Sequence, residues 1–203
     1  MSHIRSTLPF IHVRTQGNRT PTGPRSSTAA RRAVHYYAYG REVSQQQAQT
    51  HGRLRGQWLG SDGRVQTHAE VLAWVQQEAL RHRYTFQGLL SVPEAELAAT
   101  AFGRALQAAG QPAEWCLMAH HDTRHAHAHV LWFGDRRPDK AAFLAWQRAV
   151  RAELQRLLAE QAQGHAAQQV QGLAQSVDEQ VGQQAELEPD PADSRRQGIG
   201  YGW

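Results

Sequence analysis

The fold of this chain is decided by the stretch Ala119-His120-His121-Asp122-Thr123-Arg124-His125-Ala126-His127-Ala128-His129-Val130-Leu131-Trp132-Phe133, in which histidines precede an apolar run. Side chains at i, i+2 and i+4 of a β-strand point to one face, so His125, His127 and His129 share a face. Leu131 and Phe133 continue that face. The opposite face carries the small and apolar residues Ala126, Ala128, Val130 and Trp132.

The segment before these histidines predicts the other half of a β-hairpin. Trp115–Ala119 reads as a strand, and residues 122–124 favour a turn. A two-residue loop in that turn would set His120 opposite His127, and opposed residues lie about 5 Å apart. His120, His127 and His129 would then form a compact cluster that suits a divalent cation. A structural zinc site would need a fourth ligand, and a solvated histidine-rich surface is the plainer alternative.

The bulk composition indicates one domain with tails. The chain has 203 residues, 40% of them hydrophobic, which is enough for one core of ordinary size. Its one cysteine, Cys116, excludes an internal disulfide and fits a core position on a strand. The sequence has neither a signal-peptide pattern nor an apolar run of the roughly 20 residues that a membrane span needs. We therefore expect a soluble, cytoplasmic protein without a membrane partner.

The positive charge is concentrated near the N-terminus and consists almost entirely of arginine. Residues 1–60 contain nine arginines, no lysine, and Glu42 as the only acid. The planar guanidinium fork suits phosphate recognition, and a one-sided basic segment indicates a polyanionic partner. Genomic base composition is the alternative explanation for the choice of arginine over lysine.

Caps and periodicity predict four helices and at least three strands. Thr28 is predicted to cap a first helix over Ala29–Tyr39 that Gly40 ends, and Thr67 with Glu70 forms a capping box for the second. The remaining helices are predicted to begin near Ser91 and Asp139, and the strands to cover Leu8–Val13, Tyr84–Leu90 and the histidine hairpin. Residues 41–66 read as a polar loop that Trp58 and Leu59 anchor to the core. The order predicts an α+β fold, an antiparallel sheet flanked by helices.

Composition divides the chain into three parts. Residues 1–27 are predicted to form a basic N-terminal strand and loop, and residues 28–163 to form the folded domain. Residues 164–203 are rich in glutamine and acidic on balance, and we expect a mostly disordered tail with a weak helix near Val170 to Val181.

The histidine hairpin resembles a motif of a known enzyme family. The pattern His120-x-Asp122-Thr123-x-x-x-His127-x-His129, followed by an apolar strand, is similar to the third motif of plasmid mobilisation relaxases, which are HUH-superfamily endonucleases. The segment Ala30–Tyr37 resembles the helix on which that family carries its nucleophilic tyrosine. Tyr37 is the closest match, and Tyr36 and Tyr39 are the other candidates. The likeness spans roughly residues 28–160.

The resemblance implies an α+β HUH/relaxase-like domain that nicks one DNA strand at an origin of transfer through a 5′-phosphotyrosine intermediate. Its metal ligands would be His120, His127 and His129, and its cofactor Mg²⁺ or Mn²⁺, which polarises the phosphate oxygens. Its partners would be single-stranded DNA and the accessory or coupling proteins of a relaxosome.

Further residues fit this chemistry. Asp122 can accept a hydrogen bond from a ligand's second N–H and fix its tautomer, although a plain turn aspartate is as good an explanation. Single-stranded DNA is held by arginine and by aromatic stacking. The candidates for these contacts are Arg31, Arg32, Arg53, Arg55 and Trp58.

Two other functions fit the same motif. A rolling-circle replication initiator or a transposase of the superfamily shares the histidine pair, but those relatives place their tyrosine after the histidines. A non-catalytic DNA-binding accessory protein could keep the fold without the reaction.

Overall fold

The structure, a computed structural model, describes residues 8–20, 23–40, 55–93, 97–110, 112–121 and 125–186, without the side chains of 55, 56, 170 and 172–186. The described strands are β1 (Phe10–Gly17), β2 (Arg55–Gly60), β3 (Val65–Gln66), β4 (Tyr84–Val92), β5 (Trp115–His120) and β6 (Ala126–Gly134). The helices described are α1 (Thr28–Tyr39), α2 (His68–Arg81), α3 (Ala99–Ala108) and α4 (Lys140–Glu186).

The strands form one six-stranded antiparallel sheet in the order β1-β4-β6-β5-β2-β3. The predicted α+β fold with an antiparallel sheet flanked by helices is therefore confirmed. The hairpin strands β5 and β6 lie near the middle of the sheet, and all six residues of β5 are buried. His120, His127 and His129 therefore lie on two central strands, each paired with a neighbour on both sides.

Each face of the sheet packs against its own pair of helices, as the alternation in β6 predicts. On the back face, Val130 packs with Phe102 of α3 and with Val150 and Leu154 of α4. On the front face, Leu131 packs with residues of α1 and α2. The predicted division of β6 into two faces is confirmed, with His127 and His129 on the front, whereas His125 precedes the strand.

Local signals set the start of α2 and the end of α1 where the sequence predicts them, whereas α1 is preceded by Ser27 and not capped by Thr28. The Thr67 hydroxyl accepts a hydrogen bond from the Glu70 backbone N–H at 3.2 Å, and the Glu70 carboxylate accepts one from the Thr67 N–H at 2.7 Å. This capping box begins α2. Gly40 ends α1 with a φ of 70°, a left-handed conformation that favours glycine.

Two predictions about this part of the fold are wrong. Residues 55–60 and 65–66, taken as loop, are strands β2 and β3, because Trp58 and Leu59 pair with Met118 and Leu117 of β5. The helix predicted from Ser91 does not begin there, since pairing of β4 with β6 continues to Val92. The helix that follows begins at Ala99.

The chain divides into a compact unit, Met1–Ala159, and a second unit, Glu160–Trp203. Helix α4 continues past Gln163 to Glu186 and so includes the stretch Val170 to Val181, where the sequence predicts a weak helix. The predicted boundaries at residues 27 and 163 and the disorder of the tail stay predictions.

Candidate metal and nuclease site

Three histidines from two neighbouring strands converge on the front face. His120 of β5 lies directly opposite His127 of β6, which is the register that the sequence predicts, and His129 lies opposite Met118. The ring centroid of His120 lies 4.9 Å from that of His127 and 4.9 Å from that of His129, and the centroids of His127 and His129 are 5.5 Å apart. One ring nitrogen from each lies within 4.8 Å of the others. We call these three residues the histidine cluster.

Backbone carbonyls fix the tautomers of two cluster residues. His120 Nε2 lies 2.8 Å from the carbonyl oxygen of Tyr37, and His127 Nδ1 lies 3.1 Å from that of His125. A carbonyl only accepts, so each of these ring nitrogens carries the hydrogen when the imidazole is neutral. The other nitrogens, His120 Nδ1 and His127 Nε2, therefore both present lone pairs.

The two lone pairs face each other. His120 Nδ1 and His127 Nε2 are 3.1 Å apart, at which distance two acceptors repel unless a proton or a cation lies between them. Imidazole nitrogens that bind zinc sit about 2.0–2.1 Å from it, so two of them at a right angle are about 3 Å apart. The separation of this pair fits shared coordination of one cation, and the ring nitrogen of His129, within 4.8 Å of the others, is the candidate third ligand.

Tyr37 of α1 packs directly on the histidine cluster. Its ring stacks on His129 with centroids 4.1 Å apart and planes 12° apart, and its hydroxyl donates to Gln87 Oε1 at 3.3 Å. Only 5% of Tyr37 is exposed, and burial raises its pKa far above the ordinary value of about 10. Because it is buried, Tyr37 is a weak nucleophile in this conformation. Its ring and its carbonyl instead hold His129 and His120 in place.

The other two candidate tyrosines have different surroundings. Tyr36 is 54% exposed, and its ring meets the Tyr37 ring edge to face at 6.2 Å. Tyr39 is half-buried and packs instead against His35 and His68, with ring centroids 6.2 and 4.8 Å away. Tyr36 is therefore the exposed phenol beside Tyr37, and Tyr39 belongs to a separate group of rings.

The structure separates the residues proposed to contact DNA. Arg31 and Arg32 are exposed on α1. The backbone of Arg55 pairs opposite His120, which places this arginine in the same row of the sheet as the cluster. Trp58 is only 2% exposed and packs in the core beneath α1 and α2, as its anchoring role predicts, so its indole offers no open face to a base. Arg53 and Asp122 lie outside the described residues.

Gln87 is a site residue that the sequence analysis missed. It accepts the Tyr37 hydrogen bond and donates to Gln16 Oε1 of β1 at 3.1 Å, so it links the support of the cluster to the edge strand. Gln87 lies on the front face because it is paired opposite Leu131 of β6. The sequence alone does not show that β4 pairs with β6, so it could not place Gln87 near the cluster.

Comparisons with known proteins do not extend these observations. No family model matches the chain, and no curated protein or solved structure is significantly similar to it. Among the described residues, no helix combines the length and the apolar character that crossing a membrane requires. The case for a function therefore depends on the geometry of the site and on the residues that build it.

Proposed function

We propose that this protein is a metal-dependent DNA nickase and strand transferase of the relaxase type, which cuts one strand and keeps its 5′ phosphate on a tyrosine. The observation that carries the proposal is the convergence of one ring nitrogen each from His120, His127 and His129 within 4.8 Å, with those of His120 and His127 only 3.1 Å apart. Neutral imidazole ligands leave a divalent cation its full charge. Such a cation, when bound, polarises the phosphate oxygens and stabilises the charge that develops on them.

The backbone and the ring of Tyr37 orient the ligands for this task. The Tyr37 carbonyl accepts the Nε2 hydrogen of His120, so Nδ1, which faces His127, is the nitrogen that could bind a cation. Partners of this kind fix the tautomer of a ligand and raise its basicity. Stacking of the Tyr37 ring restricts rotation of His129. The cluster is thus preorganised by α1, the same helix that supplies the phenols.

The attack on phosphorus needs an accessible phenol. Exposure supports Tyr36 as the nucleophile, whereas the motif favours Tyr37, which must first leave its buried position. In the reaction the phenol loses its proton and its oxygen bonds to phosphorus, while the bond from phosphorus to the 3′ oxygen breaks and that oxygen gains a proton. One phosphodiester replaces another, so a free 3′ hydroxyl can reverse the step without ATP.

The test is formation of a covalent adduct. The protein is incubated with Mn²⁺ and single-stranded oligonucleotides that tile the DNA around its own gene, and denaturing gels reveal any DNA-linked protein. We expect an adduct with the wild type and none with His127→Ala or with EDTA. His165→Ala removes an exposed histidine from α4 and serves as the matched control, which keeps the adduct.

Tyrosine variants then identify the nucleophile. We expect Tyr36→Phe to abolish the adduct and Tyr37→Phe to keep it, because the phenyl ring still stacks on His129. The reverse result would assign the attack to Tyr37 and require α1 to shift during the reaction. Tight DNA binding without an adduct in any arm would refute the nickase and support the accessory protein.

A further inference from the structure

The edge strand β1 carries an exposed aromatic and basic strip in register with the histidine cluster. Phe10 lies opposite Ser91 of β4, which lies opposite His127 of β6. His12 likewise lies opposite Leu89 of β4, which lies opposite His129 of β6. Opposed residues share a face, so both rings project from the front face.

Arg14 occupies the next row of the same strip. It lies opposite Gln87, the acceptor of the Tyr37 hydroxyl. Strands are about 4.8 Å apart, so β1 is about 10 Å from β6. We call Phe10, His12 and Arg14 the β1 platform. The platform is close enough to the histidine cluster for one short extended ligand to contact both.

The platform is open to solvent. Phe10 is 55% exposed, and His12 and Arg14 are exposed as well. The rings of Phe10 and His12 are nearly parallel, with planes 3° apart and centroids 6.4 Å apart. The front core beneath α1 and α2 takes its strand residues from β2, β5 and β6, and no described residue of β1 belongs to it. The flat ring faces are therefore left uncovered beside the site.

We infer that the β1 platform binds the single-stranded DNA that runs into the histidine cluster, with a base stacking on the Phe10–His12 pair and a phosphate on Arg14. Aromatic faces accept any base, since every base has a π-face, and arginine neutralises the backbone. Bases inside a duplex cannot reach these rings, which selects a single strand. This inference rests on the proposed function, because it gives the same site its substrate contacts.

Binding is measured in EDTA, so that no cleavage is needed. The probe is a fluorescein-labelled 20-nucleotide single strand of mixed sequence, followed by anisotropy at several salt concentrations. Phe10→Ala/His12→Ala should weaken binding about 10-fold, because the stacked base loses both ring faces. Arg14→Gln should reduce the slope of log affinity against log salt by about 0.7, the value for one phosphate contact on a single strand.

Matched controls separate the platform from general surface effects. Leu144→Ala removes another exposed apolar side chain and Arg148→Gln another exposed arginine, both on α4, and both should bind as the wild type does. Phe10→Leu/His12→Leu keeps apolar bulk without flat rings and should still lose affinity. Wild-type affinity in the platform variants, equal losses in the controls, equal losses on a duplex probe, or no binding of the single strand by the wild type would each overturn the inference.

The adduct assay keeps the two proposals distinguishable. If the wild type forms the Mn²⁺-dependent adduct while the platform variants bind and react like it, the platform is refuted and the nickase stands. If the platform variants lose affinity for the single strand but no protein forms an adduct, the platform stands and the nickase fails.

Discussion

Two groups of histidines make contacts with helix α1, and they differ in the hydrogen bonds that orient their rings. The histidine cluster lies on strands, and backbone carbonyls fix two of its three tautomers. The second group, which we call the helix pair, joins His35 of α1 to His68 of α2 by one contact of 3.3 Å. Within the described part of the chain, no carbonyl fixes either ring of the pair. Convergence of imidazoles is thus common to both groups, but among the described residues only the histidine cluster combines three rings with carbonyl contacts that orient two of them.

The largest expected effect is the loss of stability when Tyr37, which packs on the histidine cluster, is truncated. Tyr37→Ala leaves a cavity against His129 and should lower the free energy of unfolding by about 3–4 kcal/mol, as truncation of a buried aromatic residue does. Tyr37→Phe loses only the hydrogen bond to Gln87 and should lose about 1 kcal/mol. Urea unfolding measures both, and Tyr39→Ala, which truncates a half-buried ring at the helix pair, should lose less than Tyr37→Ala. Equal losses for the two alanine variants would mean that the cluster has no special support.

Metal affinity sharpens the comparison most directly. His127→Ala removes a ligand and should lower the affinity for Mn²⁺ by more than about 100-fold, beyond the loss that a mutated supporting partner causes. His68→Ala at the helix pair should leave that affinity unchanged. Titration calorimetry on the intact protein measures both variants. A comparable loss in the two would show that the cation binds at the helix pair or at the surface.

The capping box tests how the helix pair is positioned. Thr67→Ala removes the hydroxyl that accepts from the Glu70 N–H, and His68 is the first residue of the helix that this cap begins. We expect a loss of about 1 kcal/mol in urea unfolding, with unchanged Mn²⁺ affinity. Thr100→Ala, at an exposed position inside α3, is the control and should stay within about 0.5 kcal/mol of the wild type. A drop in Mn²⁺ affinity for Thr67→Ala would contradict the independence of the two groups.

The smallest expected effect is a pH dependence at the helix pair. Burial, and secondarily the charge of His35, lowers the pKa of His68 in the folded protein. The unfolded chain then binds a proton at a higher pH than the folded one does. The stabilising contribution is therefore present above the unfolded pKa of about 6.5 and is lost as the pH falls towards the folded value. His68→Ala should reduce the loss of stability between pH 7.5 and pH 5.

Urea midpoints in EDTA at the two pH values measure this difference. The same measurement on His165→Ala gives the background for removal of an exposed histidine. A pH dependence in His68→Ala as steep as in the wild type would assign the effect to other groups.

The sequence predicted the site better than it predicted the sheet around it. Alternation in β6 and the turn predicted from the sequence indicated that His120 faces His127, since a hairpin is a local structure. Strands β2 and β3 were missed because residues 41–66 are polar and rich in glycine, and only Trp58 and Leu59 show the apolar pattern. Their strand conformation depends on pairing with β5, a contact distant in sequence.

Long-range pairing also explains the other differences. Ser91 to Glu94 has the local features of a helix start, but pairing with β6 extends the strand to Val92. The position of β1 beside β4 cannot be read from either segment alone, so the links from Gln87 to the edge strand and from Phe10 to the row of His127 were not foreseen. Asp122 and Arg53 lie outside the described residues, and their roles stay predictions.

The hydrogen bond from His120 to the Tyr37 carbonyl has a consequence for how the two halves of the site communicate. Because the acceptor belongs to the backbone of α1, no side-chain substitution at Tyr37 removes it, and displacement of the helix breaks it. Binding of a cation at the cluster and the packing of α1 would then be thermodynamically linked, and the linkage would be reciprocal. A cation that ordered His120 would also stabilise the position of the helix that bears the phenols, and any ligand that displaced this helix would weaken cation binding by the same free energy.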